Sequence, residues 1–456
     1  MTVGRIHKAY MIGIGGIGMS AIARYLNAIG VSVQGYDKTP SPITDALQEE
    51  GVEVFFTENI QRIPKEVDVV IYTPAIPTQH LELRYYIDNG YNVLKRSEML
   101  GKITLEGNCF AVAGSHGKST TSAMLAYLLQ QGGQQPTAFL GAIANNFNSN
   151  FLLGRSHNFV VEADEFDRSF HQLYPAQAII TSVDSDHLDV YGDMEGVRSA
   201  FQQFSQQVQP GGQVFIPATE PFLQELPHGL AVSYGVEVDA DYRAENVQIV
   251  DHKYQFDFIS PNGMVQDVVL NMGGWHNVEN MVAAAALAHH AGVSMSDIKT
   301  GVAGFSGLKR RFDFILDEAD LVFIDDYAHH PKEIEAFIHG VRQLFPTEKI
   351  TAIFQPHLYS RTRDYYKGFA ATLSQLDTVI LLDIYPAREE AIPGVSSQLI
   401  FDELEVEQKY CCSLENILDH IHFHEAQVFL TIGAGDIGLL VPKLKTHLRS
   451  HKTQQA

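Results

Sequence analysis

A short glycine-containing turn carries the first residues that can do chemistry. In the stretch FAVAGSHGKSTTSAML, an apolar strand runs up to Gly114 and a helix follows Gly117. Glycine lets the backbone turn its N–H groups inward, Lys118 offers a positive charge to terminal phosphates, and Ser119 offers a hydroxyl to Mg²⁺. These residue types at this spacing predict a nucleotide phosphate site. A plain strand-to-helix turn is the alternative.

The turn departs from the strict phosphate-loop pattern at one position. The pattern G-x-x-x-x-G-K-[ST] requires glycine where this chain has Val112. The helix behind the turn directs the positive end of its dipole at the same place. We therefore predict a shortened phosphate loop, whose contacts come from Gly114, Ser115, His116, Gly117, Lys118, Ser119 and Thr120.

Acidic side chains follow the next two strands. The run VVEADEFD places Glu162, Asp164, Glu165 and Asp167 directly after an apolar strand. Mg²⁺ takes oxygen ligands, and Glu162, still on the apolar pattern of the strand, is the predicted ligand. The run DSDHLD sets His187 among acids, which predicts a second metal or phosphate contact. A solvated acidic loop and a structural histidine are the alternatives.

A second glycine-rich turn lies near the start of the chain. Gly13, Gly15 and Gly18 in GIGGIG have the G-x-G-x-x-G spacing, and Asp37 ends the next strand. This spacing predicts a diphosphate ligand at the turn. A dinucleotide such as NAD is an alternative, and close strand–helix packing is another.

Polar residues in the middle of the chain extend the predicted nucleotide site. Asn277 and Asn280 lie one turn apart on one face of a predicted helix, although Asn277 could simply cap that helix. One of Arg310 and Arg311 could cover charge that develops on a phosphate. A charged linker is the alternative for the two arginines.

Two polar loops of the last third of the chain follow apolar strands. Asp326 and His330 precede a helix whose predicted first residue is Pro331. The second loop, QPHLYSRTRD, contributes His357, Arg361 and Arg363. The planar fork of arginine suits carboxylate and phosphate recognition, so this loop predicts a contact with such a group. An exposed basic loop is the alternative.

Open α/β domains would position all of these residues. Short apolar runs alternate with amphipathic helices along most of the chain, which predicts parallel strands with right-handed crossovers. Ligands of such sheets gather beyond the carboxyl ends of the strands, where the polar clusters of this sequence lie. We predict three α/β domains with the boundaries 1–106, 107–312 and 313–456.

The composition excludes several classes of partner. The chain has 54 Asp and Glu residues and 32 Lys and Arg residues. The resulting net charge of −22 disfavours binding to nucleic acid and to anionic membranes. Three cysteines, two of them adjacent, do not make a secreted disulfide framework. Glycines and Arg24 interrupt the apolar N-terminal stretch, so it is not read as a signal peptide. We expect a soluble cytoplasmic protein without membrane insertion, and its oligomeric state stays open.

Taken together, seven motifs resemble those of the Mur ligases of bacterial cell-wall synthesis. They are AGSHGKSTT, EADEFD, DSDHLD, HNVEN, DDYAHHP, QPHLYSRTRD and GAGD, in this order over the whole chain. The resemblance implies an N-terminal Rossmann-like domain for a UDP-sugar, a central P-loop ATPase domain with a mainly parallel sheet, and a C-terminal Rossmann-like ligase domain. It also implies that ATP phosphorylates the lactyl carboxylate of UDP-N-acetylmuramate and that the amine of L-alanine displaces the phosphate. The stretches GIGGIGMSAIA and FQPHLYSRTRD resemble the alanine-adding branch of the family.

The same resemblance implies a role for each predicted residue. Lys118 contacts the β- and γ-phosphates of ATP, Ser119 and Glu162 hold one Mg²⁺, and His187 holds a second. The other implied nucleotide contacts are Asn277, Asn280, Arg311, Asp326 and His330. The implied contacts of the UDP-sugar diphosphate are Gly15, Gly16, Ile17 and Gly18, and those of the substrate end are His357, Arg361 and Arg363. The implied catalytic set is Lys118, His187, Arg311 and Arg361.

The chain departs from the family pattern at several positions. Ser119 stands where threonine is usual, Leu358 where many alanine-adding members have arginine, and Ala328 where glycine is common. Several sister ligases bridge their metals with a carbamylated lysine, but no lysine occurs here between Lys118 and Lys253. That absence agrees with the alanine-adding branch.

Three rival functions remain at this stage. A sister ligase that attaches a recycled tripeptide to the same UDP-sugar is the nearest. An ATP-driven switch would also use a phosphate loop, but it would not need a second glycine-rich diphosphate domain. A dehydrogenase would depend on the N-terminal glycines alone.

Overall fold

Three β-sheets organise the part of the chain that the computed structural model describes, residues 3–184, 188–227, 229–387, 389–421 and 428–455. The chain divides into two units. The first comprises Met1–Gln248, Gln255–Asn271 and His276–Ser306. It contains the first two sheets, except for residues 249–254, which belong to the second unit. The second comprises Ile249–Tyr254, Met272–Trp275 and Gly307–Ala456, and it holds the third sheet.

The first sheet is built from alternating strands and helices. Its elements are β1 (Lys8–Ile12), α1 (Ile17–Ala28), β2 (Ser32–Tyr36), α2 (Pro42–Glu49), β3 (Glu53–Phe55), β4 (Val69–Tyr72), α3 (Leu81–Asp88), β5 (Val93–Lys95) and α4 (Arg96–Thr104). The strand order is β3-β2-β1-β4-β5, and every neighbouring pair is parallel. This is the predicted Rossmann-like arrangement, in which the glycine-rich turn joins β1 to α1.

The start of α2 shows how local sequence defines an element. The hydroxyl of Ser41 accepts a hydrogen bond from the backbone N–H of Thr44, and the hydroxyl of Thr44 accepts one from the N–H of Ser41. Pro42 occupies the first helical position, where its missing N–H costs nothing. The helix therefore begins at Pro42.

The second sheet has ten strands and carries the phosphate loop. Its elements are β6 (Asn108–Ala113), α5 (Lys118–Gln131), β7 (Thr137–Ala144), β8 (Ser149–Leu152), β9 (Asn158–Glu162), β10 (Gln177–Ile180), α6 (Leu188–Tyr191), α7 (Met194–Gln206), β11 (Val214–Pro217), β12 (Ala231–Val236), β13 (Tyr242–Val250), β14 (Lys253–Ser260), β15 (Gly263–Leu270), α8 (Trp275–His290) and α9 (Met295–Gly304). The strand order is β15-β14-β13-β12-β11-β10-β6-β9-β7-β8. β6 pairs in parallel with β10 and with β9, so the phosphate loop lies between two neighbouring strand ends.

The third sheet has six strands. Its elements are β16 (Asp313–Glu318), β17 (Leu321–Asp326), α10 (Pro331–Leu344), β18 (Ile350–Phe354), α11 (Tyr359–Leu373), β19 (Thr378–Leu382), α12 (Gln398–Glu403), β20 (Gln408–Cys412), β21 (Val428–Ile432) and α13 (Val441–Gln455). The order is β16-β17-β21-β18-β19-β20, with β16 antiparallel to β17 and the other pairs parallel. The helix predicted to begin at Pro331 does so.

The central strands are buried along nearly their whole length. All six residues of β17 and all five residues of β18 and of β21 are buried. Strands covered on both faces read as continuous apolar runs, which is why the runs in the sequence located them. Among the residues described, no helix is both long enough and apolar enough to cross a membrane.

Candidate functional site

Backbone conformation and close packing explain the two glycines of the phosphate loop. Gly114 and Gly117 have φ values of +136° and +78°, a region that side-chain-bearing residues rarely adopt. A Cβ atom at position 114 would lie 2.0 Å from Oγ1 of Thr181, and one at position 117 would lie 2.6 Å from Oδ1 of Asn280. The turn therefore requires glycine at both positions.

The side chain of Lys118 lies inside the loop and contacts a buried acid. Its Nζ donates to the carbonyl oxygen of Gly114 at 2.6 Å and to Oε1 of Glu165 at 2.8 Å. The side chain of Glu165 is only 2% exposed, and burial raises the pKa of its carboxyl although the Lys118 ammonium opposes the shift. The sequence placed Glu165 in the acidic run but did not identify it as the partner of Lys118.

The amides of the loop fall into two groups. The N–H of Ser115 donates to the carbonyl oxygen of Ser182 at 3.1 Å, and the N–H of His116 donates to Oγ of Ser182 at 3.2 Å. The first intrahelical bond of α5 runs from Thr121 N to Gly117 O, so the preceding amides of the first turn have no acceptor within the helix. The amides available to a phosphate are thus those of the first turn of α5, where the helix dipole also favours an anion.

The two predicted magnesium ligands of this region lie at neighbouring elements. Ser119 is in the first turn of α5, and Glu162 ends β9, where it is in register with Val112 of β6. A Cβ atom at position 141 would come within 2.0 Å of Oε2 of Glu162, so Gly141 leaves room for this carboxylate. A hydroxyl and a carboxylate are the hard oxygen donors that Mg²⁺ takes, so the donor types of Ser119 and Glu162 suit the ion.

In residues 3–184 and the other described ranges, no group of three or more His, Cys, Asp or Glu side chains is arranged to hold a metal ion. Mg²⁺ commonly keeps one or two protein ligands and takes the rest from phosphates and water. The other predicted ligand, His187, lies outside the described residues.

The predicted asparagine pair lies at the phosphate loop. Nδ2 of Asn280 donates to Oδ1 of Asn277 at 3.1 Å along one face of α8, and both side chains are buried. Because Oδ1 of Asn280 lies against Gly117, the pair borders the loop. The structure thus brings together Asn277, Asn280 and the loop residues as the sequence predicts.

The N-terminal glycine-rich turn is held by an acid. The N–H of Gly15 donates to Oδ2 of Asp37 at 2.8 Å, and the N–H of Thr39 donates to Oδ1 of the same carboxylate at 3.2 Å. Gly16 is the N-cap of α1 and, as a glycine, has no side chain with which to cap the helix. Asp37 thus has a structural partner in the turn itself.

An arginine that the sequence did not single out lies at the same turn. A Cβ atom at position 18 would lie 2.9 Å from Nη1 of Arg96, the first residue of α4. Nη2 of Arg96 is 3.2 Å from Oδ2 of Asp164, which follows β9. Arg96, Glu162 and Asp164 line one small cleft of the first unit.

In the second unit, the two adjacent arginines have different surroundings. Nε of Arg310 is 3.3 Å from Oδ2 of the buried Asp325, and its Nη1 and Nη2 donate to the carbonyl oxygens of Gly435 and Gly433. Arg310 therefore joins β17 to the GAGD loop and has a structural role. Both guanidinium groups lie over the ring of Tyr327, that of Arg310 at 5.0 Å and that of Arg311 at 5.6 Å, so the contacts with Asp325 and the GAGD loop are what distinguish Arg310.

Asp326 closes a turn of its own unit. Its carboxylate accepts hydrogen bonds from the N–H of Phe312 at 2.7 Å and from the N–H of Ala328 at 2.8 Å. Complete burial raises the pKa of Asp326 to about 6, although these two bonds oppose the shift. The predicted nucleotide contact is therefore also a structural residue of the loop before α10.

The remaining predicted residues of the second unit form a histidine-rich group. The rings of His357 and Tyr385 are stacked, with centroids 5.8 Å apart, and the ring of His329 is also 5.8 Å from that of His357. Nη1 of Arg361 lies 3.4 Å from the carbonyl oxygen of His329. Burial lowers the pKa of His357, because it disfavours the charged imidazolium. The sequence passed over His329, although the HH pair in DDYAHHP could have signalled it.

Three further residues lie at or near the N-terminal ends of α10 and α11. His330 is the N-cap of α10, and its Nδ1 lies 3.4 Å from the N–H nitrogen of Lys332. Arg363 is exposed, and its Nε donates to Oδ1 of the adjacent Asp364 at 2.7 Å. Leu358, where the family pattern has arginine, has a φ of +72°, an uncommon conformation for a side-chain-bearing residue.

The sheets and the phosphate loop define an α/β enzyme of the phosphate-loop class, and comparison with known proteins gives its family. Family models match in sequence order: the Mur ligase family catalytic domain at residues 8–107, the Mur ligase middle domain at 112–288 and the Mur ligase glutamate ligase domain at 310–444. The chain belongs to the Mur ligase family. It has the three-domain α/β fold of that family, whose members are ATP-dependent and generally use Mg²⁺.

Individual relatives cover the chain almost completely. A UDP-N-acetylmuramate--L-alanine ligase of Porphyromonas gingivalis is 49% identical over 97% of this chain and 99% of the relative. One of Flavobacterium johnsoniae is 45% identical over 99% of this chain and 100% of the relative. Among solved structures, the UDP-N-acetylmuramate-alanine ligase MurC of Thermotoga maritima matches with a TM-score of 0.82 and 27% identity, covering 99% of this chain and 100% of that one.

Proposed function

We propose that this protein joins L-alanine to the lactyl carboxylate of UDP-N-acetylmuramate in peptidoglycan synthesis, using ATP. The observation that carries the proposal is the near-complete match to relatives of that name at 45–49% identity. The phosphate loop, with a lysine paired to a buried acid, supports the ATP-dependent part, and the Rossmann-like first sheet with its glycine-rich turn supports the UDP-sugar part.

The reaction has two group transfers. A carboxylate oxygen of the lactyl group attacks the γ-phosphorus of ATP, the bond between this phosphorus and the β–γ bridging oxygen breaks, and ADP leaves. The amine of L-alanine then attacks the acyl carbon, the acyl C–O bond breaks, and phosphate leaves while the nitrogen loses a proton. The enzyme needs no covalent intermediate of its own, so positioning and charge neutralisation supply the catalysis.

In the first unit, we assign the ATP phosphates to the phosphate loop. Lys118 supplies a positive charge to the β- and γ-phosphates, and the first-turn amides of α5 donate to phosphate oxygens. Ser119 and Glu162 would hold Mg²⁺, which offsets phosphate charge when it is bound. A second Mg²⁺ at His187 is part of the proposal, as are nucleotide contacts from Asn277 and Asn280.

The other assignments follow the family pattern. Gly15, Gly16, Ile17 and Gly18 are proposed to bind the diphosphate of the UDP-sugar. Arg311, Asp326 and His330 are proposed nucleotide contacts, and His357, Arg361 and Arg363 are proposed contacts of the substrate end. The proposed domain boundaries are 1–106, 107–312 and 313–456, and the proposed location is the cytoplasm, where both nucleotides are made.

Phosphate release with a varied amine acceptor tests the proposal. Purified protein with ATP, Mg²⁺ and UDP-N-acetylmuramate should release phosphate and form an amide when L-alanine is added, and it should do neither without the sugar. A preference for L-alanyl-γ-D-glutamyl-diaminopimelate over L-alanine would instead identify a tripeptide ligase. ATP hydrolysis at the same rate with and without the sugar, and no amide, would contradict the proposal.

A further inference from the structure

Arg96 lies between two sites that the proposed function fills with anions. On one side, its guanidinium is against the first turn of α1, in space that is open because residue 18 is glycine. On the other side, it pairs with Asp164, two residues after Glu162 at the end of β9. The same side chain thus borders both the glycine-rich turn and the edge of the predicted metal site.

The electrostatics of Arg96 favour an additional anion. Its side chain is only 18% exposed, and it stands beside the positive end of a 12-residue helix whose N-cap, Gly16, has no side chain to cap the first-turn amides. A cation beside a helix N-terminus is unfavourable, because the positive end of the helix dipole repels it. In the described part of the chain, the guanidinium donates to Asp164, which engages one of its five N–H donors.

The small cleft that Arg96 lines also borders the proposed magnesium site. Glu162, the proposed magnesium ligand, lines the same cleft, as do Asp164 and Ser169. If the diphosphate of the UDP-sugar lies at the glycine-rich turn and the γ-phosphate lies near Ser119 and Glu162, the acceptor carboxylate must lie between them. A carboxylate that approaches a triphosphate meets like charge, and a fixed cation beside it offsets this repulsion.

We infer that Arg96 binds the lactyl carboxylate of the UDP-sugar and holds it in position to attack the γ-phosphate. The inference rests on the proposed function. The planar fork of arginine can bind both carboxylate oxygens, which fixes the direction of the attacking one. Asp164 is a positioning residue, because it orients the guanidinium from the side of β9.

A pair of UDP-sugars and a pair of variants test this assignment. UDP-N-acetylglucosamine lacks the lactyl group but has the same diphosphate and uridine. The variant Arg96→Gln should bind UDP-N-acetylmuramate about ten- to a hundredfold more weakly in calorimetry, whereas its loss of affinity for UDP-N-acetylglucosamine should be clearly smaller, since only the nearby diphosphate then feels the missing charge. The matched control is Lys95→Gln: it removes the adjacent ion pair of Lys95 with Asp167, 2.9 Å long, but Lys95 does not line the cleft. Its binding of both sugars should stay within about twofold.

Two outcomes would overturn the inference. An equal loss of affinity for both UDP-sugars would show that Arg96 contacts the diphosphate. Unchanged affinity for both would show that Arg96 does not contact the UDP-sugar. If Arg96→Gln fails to fold, Arg96→Lys carries the test, since it keeps the charge but loses the fork and should lose affinity for the muramate alone. The proposed function stands or falls separately, because it is judged by amide formation in the unchanged protein.

Discussion

Lys118 and Glu165 show how a single ion pair prepares the phosphate loop. The ammonium is 2.8 Å from a carboxylate that is almost completely buried, and it also donates to the carbonyl oxygens of Gly114 and Ser115. These contacts hold the flexible lysine side chain close to the loop backbone. The lysine side chain thus loses its conformational entropy when the protein folds, and ligand binding does not have to order it again.

Replacement of this lysine should abolish ligation. Lys118→Ala removes the positive charge proposed to face the β- and γ-phosphates, so phosphate release with UDP-N-acetylmuramate and L-alanine should fall by about 10²–10³-fold or more. Lys299→Ala is the control, since Lys299 is exposed and donates to the carbonyl oxygen of Gln266 on the surface of the same unit. Full activity of Lys118→Ala would refute the assignment of the loop.

Burial of Asp326 predicts a pH-dependent stability. Its pKa is about 6 in the folded protein against 3.8 for the free group, so the folded state binds this proton more tightly. As the pH rises from about 4 to about 6, the group should cost the folded state roughly 3 kcal/mol, with no further change above that range. Asp326→Asn should lack this contribution.

The measurement compares the two proteins by urea denaturation at several pH values. The difference in unfolding free energy between the unchanged protein and Asp326→Asn should shift in favour of the variant between pH 4 and pH 6. The comparison is needed because burial also raises the pKa of Glu165 and Asp325. A difference that is constant with pH would contradict the effect.

At the scale of elements, the turn from β6 to α5 depends on its glycines. Gly117 and Gly133, on either side of α5, both have positive φ, +78° and +75°. Around Gly133 there is open space for a Cβ atom, whereas at Gly117 that atom would displace the side chain of Asn280. Substitution of Gly133 therefore tests backbone strain alone, whereas substitution of Gly117 adds a clash with Asn280 to the same strain.

The pair predicts two different outcomes for the same substitution. Gly133→Ala should cost about 1–2 kcal/mol of stability and leave ligation unchanged. Gly117→Ala should cost at least as much and also reduce the affinity for ATP, because it moves the loop and the asparagine pair. Thermal denaturation and ATP titration of both variants check this. Equal ATP affinity in the two would show that the packing against Asn280 does not matter.

Spacing along the chain predicted the elements of the site better than the partners of its side chains. Glycine positions and apolar runs located the phosphate loop, the Asn277–Asn280 face and the start of α10, because each depends on residues within one or two turns. The partner of Lys118 depends on how the chain bends after β9, where Asp167 and Arg168 both have positive φ. Sequence periodicity carries no signal for such a bend.

The sequence also could not predict which of two adjacent arginines has a structural role. Arg310 and Arg311 are both arginines, and the chain assigns the structural role to Arg310, which itself has a φ of +62°. Arg96 was missed because it opens a helix with no motif around it. Its place is defined by Gly18 and Asp164, 78 and 68 residues away in sequence.

At the scale of the whole molecule, charge sets the choice of partners. The net charge of −22 opposes general binding of polyanions, so the anionic substrates must be bound by local features. The features proposed for this role are helix N-termini and side chains such as Lys118 and Arg96, each of which also pairs with a carboxylate. Binding of anions would then depend on a few cations within an anionic protein.

This charge predicts no affinity for nucleic acid. A labelled short DNA duplex should show no change in fluorescence anisotropy with the protein at micromolar concentration in about 0.1 M salt. MgATP under the same conditions should bind, which confirms that the sample is active. Saturable DNA binding would contradict the inference from charge.

The third sheet has one more consequence, for synthesis on the ribosome. β21 lies between β17 and β18, yet it is the last strand of that sheet to be translated. A nascent or prematurely terminated chain that stops short of β21 leaves the facing edges of β17 and β18 with unpaired N–H and C=O groups. Open edges of this kind recruit strands from other chains, so truncated products should aggregate or be degraded rather than persist as partly active enzyme.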